Sequence, residues 1–210
     1  MICLLYGEDE YLRNEYLKKI KKEFGEIQLG INYVQVDENN VSNIISNIET
    51  PAFGFPSKLI IAKDTGLFKK KNALADALSD YLKTANLEGV ELVFVEIAPE
   101  KNSLFNTISK IGEVKEFKEQ KLPQLIAKVK SIAKAYNVDI AENVASYFIE
   151  CVGTNMSDII NELRKLIEYA GNGGTIVKKD IDALSIKKSE SIIFDLTDNL
   201  GRKKISEAIE

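Results

Sequence analysis

Through the first 119 residues, two apolar patterns alternate along this chain, and beyond that point only one of them persists. The unbroken apolar run Met1–Tyr6 and the mainly apolar runs Lys58–Ala62 and Val90–Ile97 have the composition of buried strands of a parallel sheet. Ile31–Asp37, rich in β-branched and aromatic residues, predicts another strand, and Val114–Phe117 a short last one. Helical spacing fills the gaps between them. Glu10–Phe24 carries Tyr11, Leu12, Tyr16, Leu17, Ile20 and Phe24 on one stripe, with lysines over the remaining surface and Gly25 to end it. Val41, Ile44, Ile45 and Ile48 form an i, i+3, i+4, i+7 stripe, with Asn40 the expected cap and Pro51 the stop. Further helices are predicted over Asn72–Leu82 and Asn102–Ile111. Strand and helix in alternation make an α/β domain with a mostly parallel sheet.

After Glu119 the strand signals vanish. Leu122–Tyr136, Ala141–Val152, Met156–Ala170 and Lys179–Leu184 are amphipathic, broken by Asn137-Val138-Asp139, Gly153-Thr154-Asn155 and Gly171-Asn172-Gly173-Gly174. Thr175-Ile176-Val177 reads as a brief extended link. The expected organisation is an α/β domain over 1–119, a small all-helical domain over 120–188, and the start of a third, helical segment over 189–210. Ser191–Leu200 opens that segment, and the chain is expected to stop inside it.

Composition narrows the chemistry. With 210 residues, 45% of them hydrophobic, the chain can furnish a real core. No apolar run approaches the ~20 residues of a membrane span, and Glu8-Asp9-Glu10 follows the first run too soon for a signal peptide. A soluble, cytoplasmic protein with no membrane partner is expected. Histidine is absent, which excludes Ser-His-Asp and Cys-His nucleophile activation and histidine metal sites. Cys3 and Cys151 sit in apolar runs and suggest neither a disulfide framework nor zinc. A net charge of -4 argues against a free-standing nucleic-acid binder, leaving local patches such as Lys69-Lys70-Lys71 as candidate DNA contacts.

One stretch fits neither pattern. Thr50-Pro51-Ala52-Phe53-Gly54-Phe55-Pro56-Ser57-Lys58 is an apolar loop with two phenylalanines, pinned between a helix and a strand. Loops run over the surface, so such aromatics are either folded back onto the core or offered to a partner. Both readings stand at the level of sequence.

An α/β domain followed by a small helical lid resembles the architecture of AAA+ ATPases, whose phosphate loop lies in the first strand-to-helix turn. Here that turn is Gly7-Glu8-Asp9-Glu10-Tyr11-Leu12-Arg13-Asn14. Leu12 stands for the second glycine of G-x-x-x-x-G-K-[ST], Arg13 for the lysine and Asn14 for the hydroxyl that holds Mg²⁺. Glu8, Asp9 and Glu10 would repel a triphosphate and suit a helix N-terminus instead. Where a carboxylate pair would follow the Lys58–Ala62 strand, the chain has Lys63-Asp64. No catalytic residue, cofactor or metal is expected, and Arg13 alone keeps some capacity for an anion.

Leu4 to Leu12 (LLYGEDEYL), Thr50 to Ala62, Gly153 to Tyr169 with Asn161-Glu162-Leu163-Arg164-Lys165-Leu166, and Ile193-Phe194-Asp195-Leu196 together resemble the delta subunit family of the bacterial DNA polymerase III clamp loader. The resemblance implies an AAA+-like protein without intrinsic ATPase, although the family is classed with DNA-directed DNA polymerase as part of the holoenzyme. It implies binding to a protomer of the beta sliding clamp through the aromatic loop, and opening of the ring. It also implies contacts to other loader subunits through a collar domain, largely missing here, and to primer-template DNA in the assembled complex. By position the clamp contact falls at Phe53 with Gly54 or Phe55, with Ala52 and Pro56 shaping the loop. The family's two hydrophobes are usually adjacent, whereas Gly54 separates them here. Competing readings are a divergent AAA+ ATPase or nucleotide-dependent switch, and a DNA-binding adaptor.

Overall fold

A computed structural model describes residues 1–185. The expectations placed on Lys187-Lys188, Ser191–Leu200, Ile193–Leu196 and the segment 189–210 lie outside the described residues. The chain divides into two compact units, Met1–Glu119 and a second from Gln120 onward.

The first unit is a five-stranded, all-parallel sheet in the order β2-β3-β4-β1-β5. Its strands are β1 (Ile2–Tyr6), β2 (Tyr33–Val36), β3 (Lys58–Lys63), β4 (Val90–Glu96) and β5 (Glu113–Glu116). Parallel neighbours need crossovers, and helices supply them. They are α1 (Glu10–Phe24), α2 (Ile44–Glu49, led by a 3-10 turn at Val41–Asn43), α3 (Ala73–Thr84) and α4 (Ser103–Ile111).

Side chains alternate across each strand, so the apolar runs feed two cores. Ile2, Leu4, Ile60, Ala62, Leu92 and Phe94 pack with residues of α2, α3 and α4. Cys3, Leu5, Leu59, Ile61, Val93 and Val95 face the other way, where Ile20 of α1 and Phe117 join them. Burial pushes the Cys3 thiol up to about 12, which keeps it a neutral small hydrophobe.

In the second unit the helices are α5 (Leu122–Ala135), α6 (Glu142–Val152), α7 (Met156–Ala170) and α8 (Lys178–Leu184). Leu125 and Val129 of α5, Phe148 and Ile149 of α6, and Ile159, Leu163 and Leu166 of α7 are buried. Asn155 caps α7 by accepting from the Ser157 and Asp158 N–H groups. The segments expected to be only separators or links hold one addition to the helices: β6 (Asp139–Ile140) and β7 (Thr175–Ile176) form a two-residue parallel ladder.

Two local expectations change. The strand expected over Ile31–Asp37 starts only at Tyr33, because Gln28–Asn32 is taken up by a turn. Asn40 does not cap the following helix: its side chain accepts from Asp37 N and donates to Gln35 O, closing the β2 exit instead.

Candidate functional site

The aromatic loop is built from its two ends inward. Helix α2 is only six residues long, and a helix leaves its last carbonyls without intrahelical partners. Ser46 O is satisfied by the N–H and hydroxyl of Thr50. Asn47 O and the carbonyl of the cap residue Thr50 are reached from across the loop: Lys58, 4% exposed, donates from Nζ to Asn47 O at 2.9 Å and to Thr50 O at 2.6 Å. Its own N–H donates to Gly89 O at 2.7 Å. One buried lysine thus ties the head of β3 to the start of the loop that precedes it. Burial lowers its pKa.

Between these ties the chain turns tightly. Phe55 N donates to Ala52 O at 3.0 Å, and Gly54, at φ +84°, occupies the third position of the turn, where a type II turn needs a left-handed residue. Phe53 therefore stands at the second position and is 75% exposed. Gly54 and Pro56 are exposed as well, while Ala52 and Phe55 are half-buried. Of the two readings open at the level of sequence, the fold places Phe53 in solvent and sets Phe55 part-way back against the protein.

In the sequence Lys58 marks only the end of the loop stretch and the start of the next apolar run, and its fastening role does not show. The available signal was its position as the single polar residue at the head of an otherwise apolar strand. Replacing it by methionine keeps the stem and removes both donors, leaving two carbonyls unanswered at a cost of about 1–3 kcal/mol. A lower urea midpoint for Lys58→Met, with an unchanged transition slope, is the expected result.

The β1–α1 turn is occupied by the protein itself. Gly7 N donates to Ile97 O and Asp9 N to Phe117 O, each at 3.0 Å, while Phe117 N returns to Tyr6 O at 2.6 Å. Asp9 also caps α1, accepting from Leu12 N at 2.8 Å. Arg13 is 4% exposed and donates from Nη1 to Glu96 O at 2.8 Å, so the anion-binding capacity left to it by sequence is directed inward. Backbone N–H groups that cradle phosphates in a phosphate loop are bonded here to carbonyls at the ends of neighbouring strands.

Beside Arg13, the Glu96 carboxylate accepts from the N–H and hydroxyl of Thr65 at 3.1 and 3.0 Å. Burial raises the Glu96 pKa; the Thr65 bonds oppose that shift, Asp64 adds to it and Arg13 counters it. With the folded value above the ordinary carboxylate value, the folded chain holds a proton that the unfolded chain has already lost. That contribution to stability is complete below the ordinary value and disappears as pH rises through the raised one. Glu96→Gln keeps an acceptor for Thr65 without titrating. Its stability relative to wild type should grow as pH rises through this window and shrink toward pH 4, read from urea midpoints across that range.

Lys69-Lys70-Lys71 are exposed. Asn102 holds their loop by donating to Leu67 O and Lys69 O. Among the described residues no helix is long and apolar enough to cross a membrane, and no group of three or more Cys, Asp or Glu residues is placed to hold a metal ion. In the second unit, the Asn161–Leu166 motif lies within α7. Leu163 and Leu166 are buried there, while Lys165 bonds Glu162 at 2.6 Å and reaches Leu184 O at 3.3 Å.

A family model described as DNA polymerase III, delta subunit, matches residues 3–122. The chain is 24% identical over its whole length to the DNA polymerase III subunit delta of Bacillus subtilis (strain 168) and spans 63% of that relative's length. It is similar in structure to the DNA clamp loader delta protein of Bacillus subtilis, with a TM-score of 0.66 and 22% identity, covering 99% of this chain and 65% of that one. A Thermotoga maritima RuvB Holliday junction branch migration motor has a related fold, with a TM-score of 0.50 and 12% identity over 87% of this chain and 60% of that one.

Proposed function

Because the chain belongs to the DNA polymerase III delta subunit family, we propose that it is a non-catalytic clamp-loader subunit which binds one protomer of the beta sliding clamp through the Phe53 loop and helps open the ring for loading on DNA. One observation carries this reading: a phenylalanine 75% exposed, at the apex of a turn that Gly54 shapes and Lys58 fastens at its base. An exposed aromatic on a braced loop loses little entropy when it docks, which is what an interface anchor needs. Ala52, Phe55 and Pro56 set the turn's shape, and Phe55 supplies a secondary apolar contact beside Phe53.

Opening follows from linkage. A binder shifts a closed ring toward an open one only by as much as it prefers the open form, so the loop must fit a clamp surface strained toward opening. Helix α2, tied to the loop through Lys58, is the lever. Other loader subunits bind and hydrolyse ATP and meet the delta subunit through a collar domain, and primer-template DNA joins in the assembled complex.

The competing nucleotide-switch reading requires free N–H donors in the β1–α1 turn, and those of Gly7 and Asp9 are bonded to Ile97 O and Phe117 O. The deciding experiment is the equilibrium affinity of this chain for the cognate clamp. Micromolar or tighter binding is expected, accompanied by faster opening of the ring; an absence of binding at micromolar concentrations overturns the proposal.

A further inference from the structure

The first unit presents a second loop built like the aromatic one. Leu29-Gly30-Ile31 repeats the order of Phe53-Gly54-Phe55, an apolar residue on either side of a glycine at positive φ, +81° for Gly30 against +84° for Gly54. Leu29 is 72% exposed, close to the 75% of Phe53, and Ile31 is 43% exposed. Isolated exposed leucines are commonplace; what sets this pair apart is how the turn is held and where it stands.

It is held as firmly as the aromatic loop, by a different buried polar residue. Asn32, 1% exposed, accepts from Gln28 N at 2.7 Å and donates to Glu26 O at 2.8 Å. The N–H groups of Ile31, Asn32 and Tyr33 converge on Gln28 O at 3.1–3.2 Å, and Gly30 N donates to Tyr33 O at 2.9 Å. Burying an asparagine is tolerable only when its polar atoms are bonded, and here the bonded asparagine makes a rigid turn with two apolar side chains outward.

The turn also stands beside the loop. It leads into β2 and the loop leads into β3; these strands are parallel neighbours, with Tyr33 opposite Leu59 and the Leu59 N–H donating to Asn32 O at 2.7 Å. Adjacent strands run about 5 Å apart. Both loops therefore leave the amino-terminal edge of the sheet side by side.

We propose that Leu29 and Ile31 form a second apolar contact for the same clamp protomer that Phe53 engages. This rests on the clamp-binding reading above and extends it to a two-point footprint, supplying the second anchor that the spacing of Phe53 and Phe55 leaves incomplete. The two turns precede neighbouring strands, and the occupant of the second contact is the clamp surface beside the site that receives Phe53.

The test compares clamp affinities of the wild-type chain, Leu29→Ser/Ile31→Ser and Phe53→Ala. The double variant should bind at least tenfold more weakly, with thermal midpoint unchanged because both side chains already face solvent. A polarity-sensitive dye on Leu29→Cys gives an independent readout, since Cys3 and Cys151 are buried; its emission should shift to the blue when clamp is added. If the double variant binds within twofold of wild type and the dye stays unshifted while Phe53→Ala still weakens binding by tenfold or more, the second contact is overturned and the Phe53 reading stands. If the wild-type chain binds no clamp, both fall.

Discussion

Phe53→Ala should weaken clamp binding by roughly 10- to 150-fold while leaving the fold unchanged. The magnitude is that of burying one aromatic side chain, about 1.5–3 kcal/mol, converted at 1.4 kcal/mol per tenfold change in affinity. The selectivity comes from where the ring stands. At 75% exposure in the free chain it contributes almost nothing to folding, so its truncation is felt only in the complex. Phe55→Ala should behave differently: being half-buried, that ring supports the loop, and its loss should lower both stability and affinity. Titration of labelled clamp with each variant, alongside thermal unfolding, separates the two. Equal losses of affinity and stability in Phe53→Ala would mean that the ring packs on the protein and anchors no partner.

Much of this arrangement was legible in the sequence, for reasons that differ from element to element. Helix α1 emerges with its bounds as read, Glu10 to Phe24, because a full apolar stripe, an acidic start and a terminal glycine all agree. Mainly apolar runs located β1, β3 and β4, since burial on both faces removes most of the polar alternation. The family resemblance and the apolar loop pointed to Phe53 together. Thr175–Val177 read as extended, but its pairing with Asp139–Ile140 did not show, because two residues carry no period. Asn40 misled because its side chain was drawn back to Gln35 and Asp37, a competition that short polar residues enter readily.

The supports of the candidate site were the least visible part. The place of Lys58 at the head of an apolar run signals its burial but names no partner, and lysine is almost never fully buried without one; its acceptors, Asn47 O and Thr50 O, are backbone atoms that fold into reach. The Leu29-Gly30-Ile31 turn was hidden because Ile31 opens a run rich in β-branched and aromatic residues that reads as strand from its first residue. Arg13 was the nearest substitute for a phosphate-binding lysine, and only the fold turns it toward Glu96 O. For Lys58 and Arg13 the deciding partner is a main-chain carbonyl brought from elsewhere.

Gly7→Ala should cost about 3–5 kcal/mol of folding stability, a large share of what holds a domain of this size together. Gly7 sits at φ +122°, where side chains are strained, and a Cβ there would lie 2.2 Å from Phe117 O and within 3 Å of the adjoining backbone atoms. No rotamer relieves a clash with main chain. Gly25, at φ +94° with nothing within 4 Å of its Cβ position, provides the control, because Gly25→Ala carries the strain without the clash, about 1–3 kcal/mol. The excess of one cost over the other, read from urea midpoints, measures how tightly the Phe117 segment crosses the β1–α1 turn. That crossing also bears on nucleotide. The same segment bonds Asp9 N, so freeing that donor for a phosphate would require lifting Phe117 out of the core against α1. A large excess therefore predicts that restoring the phosphate-loop residues at positions 12 to 14 would confer no ATP binding, whereas equal costs for the two alanines would show that the segment yields and that the turn can be reopened.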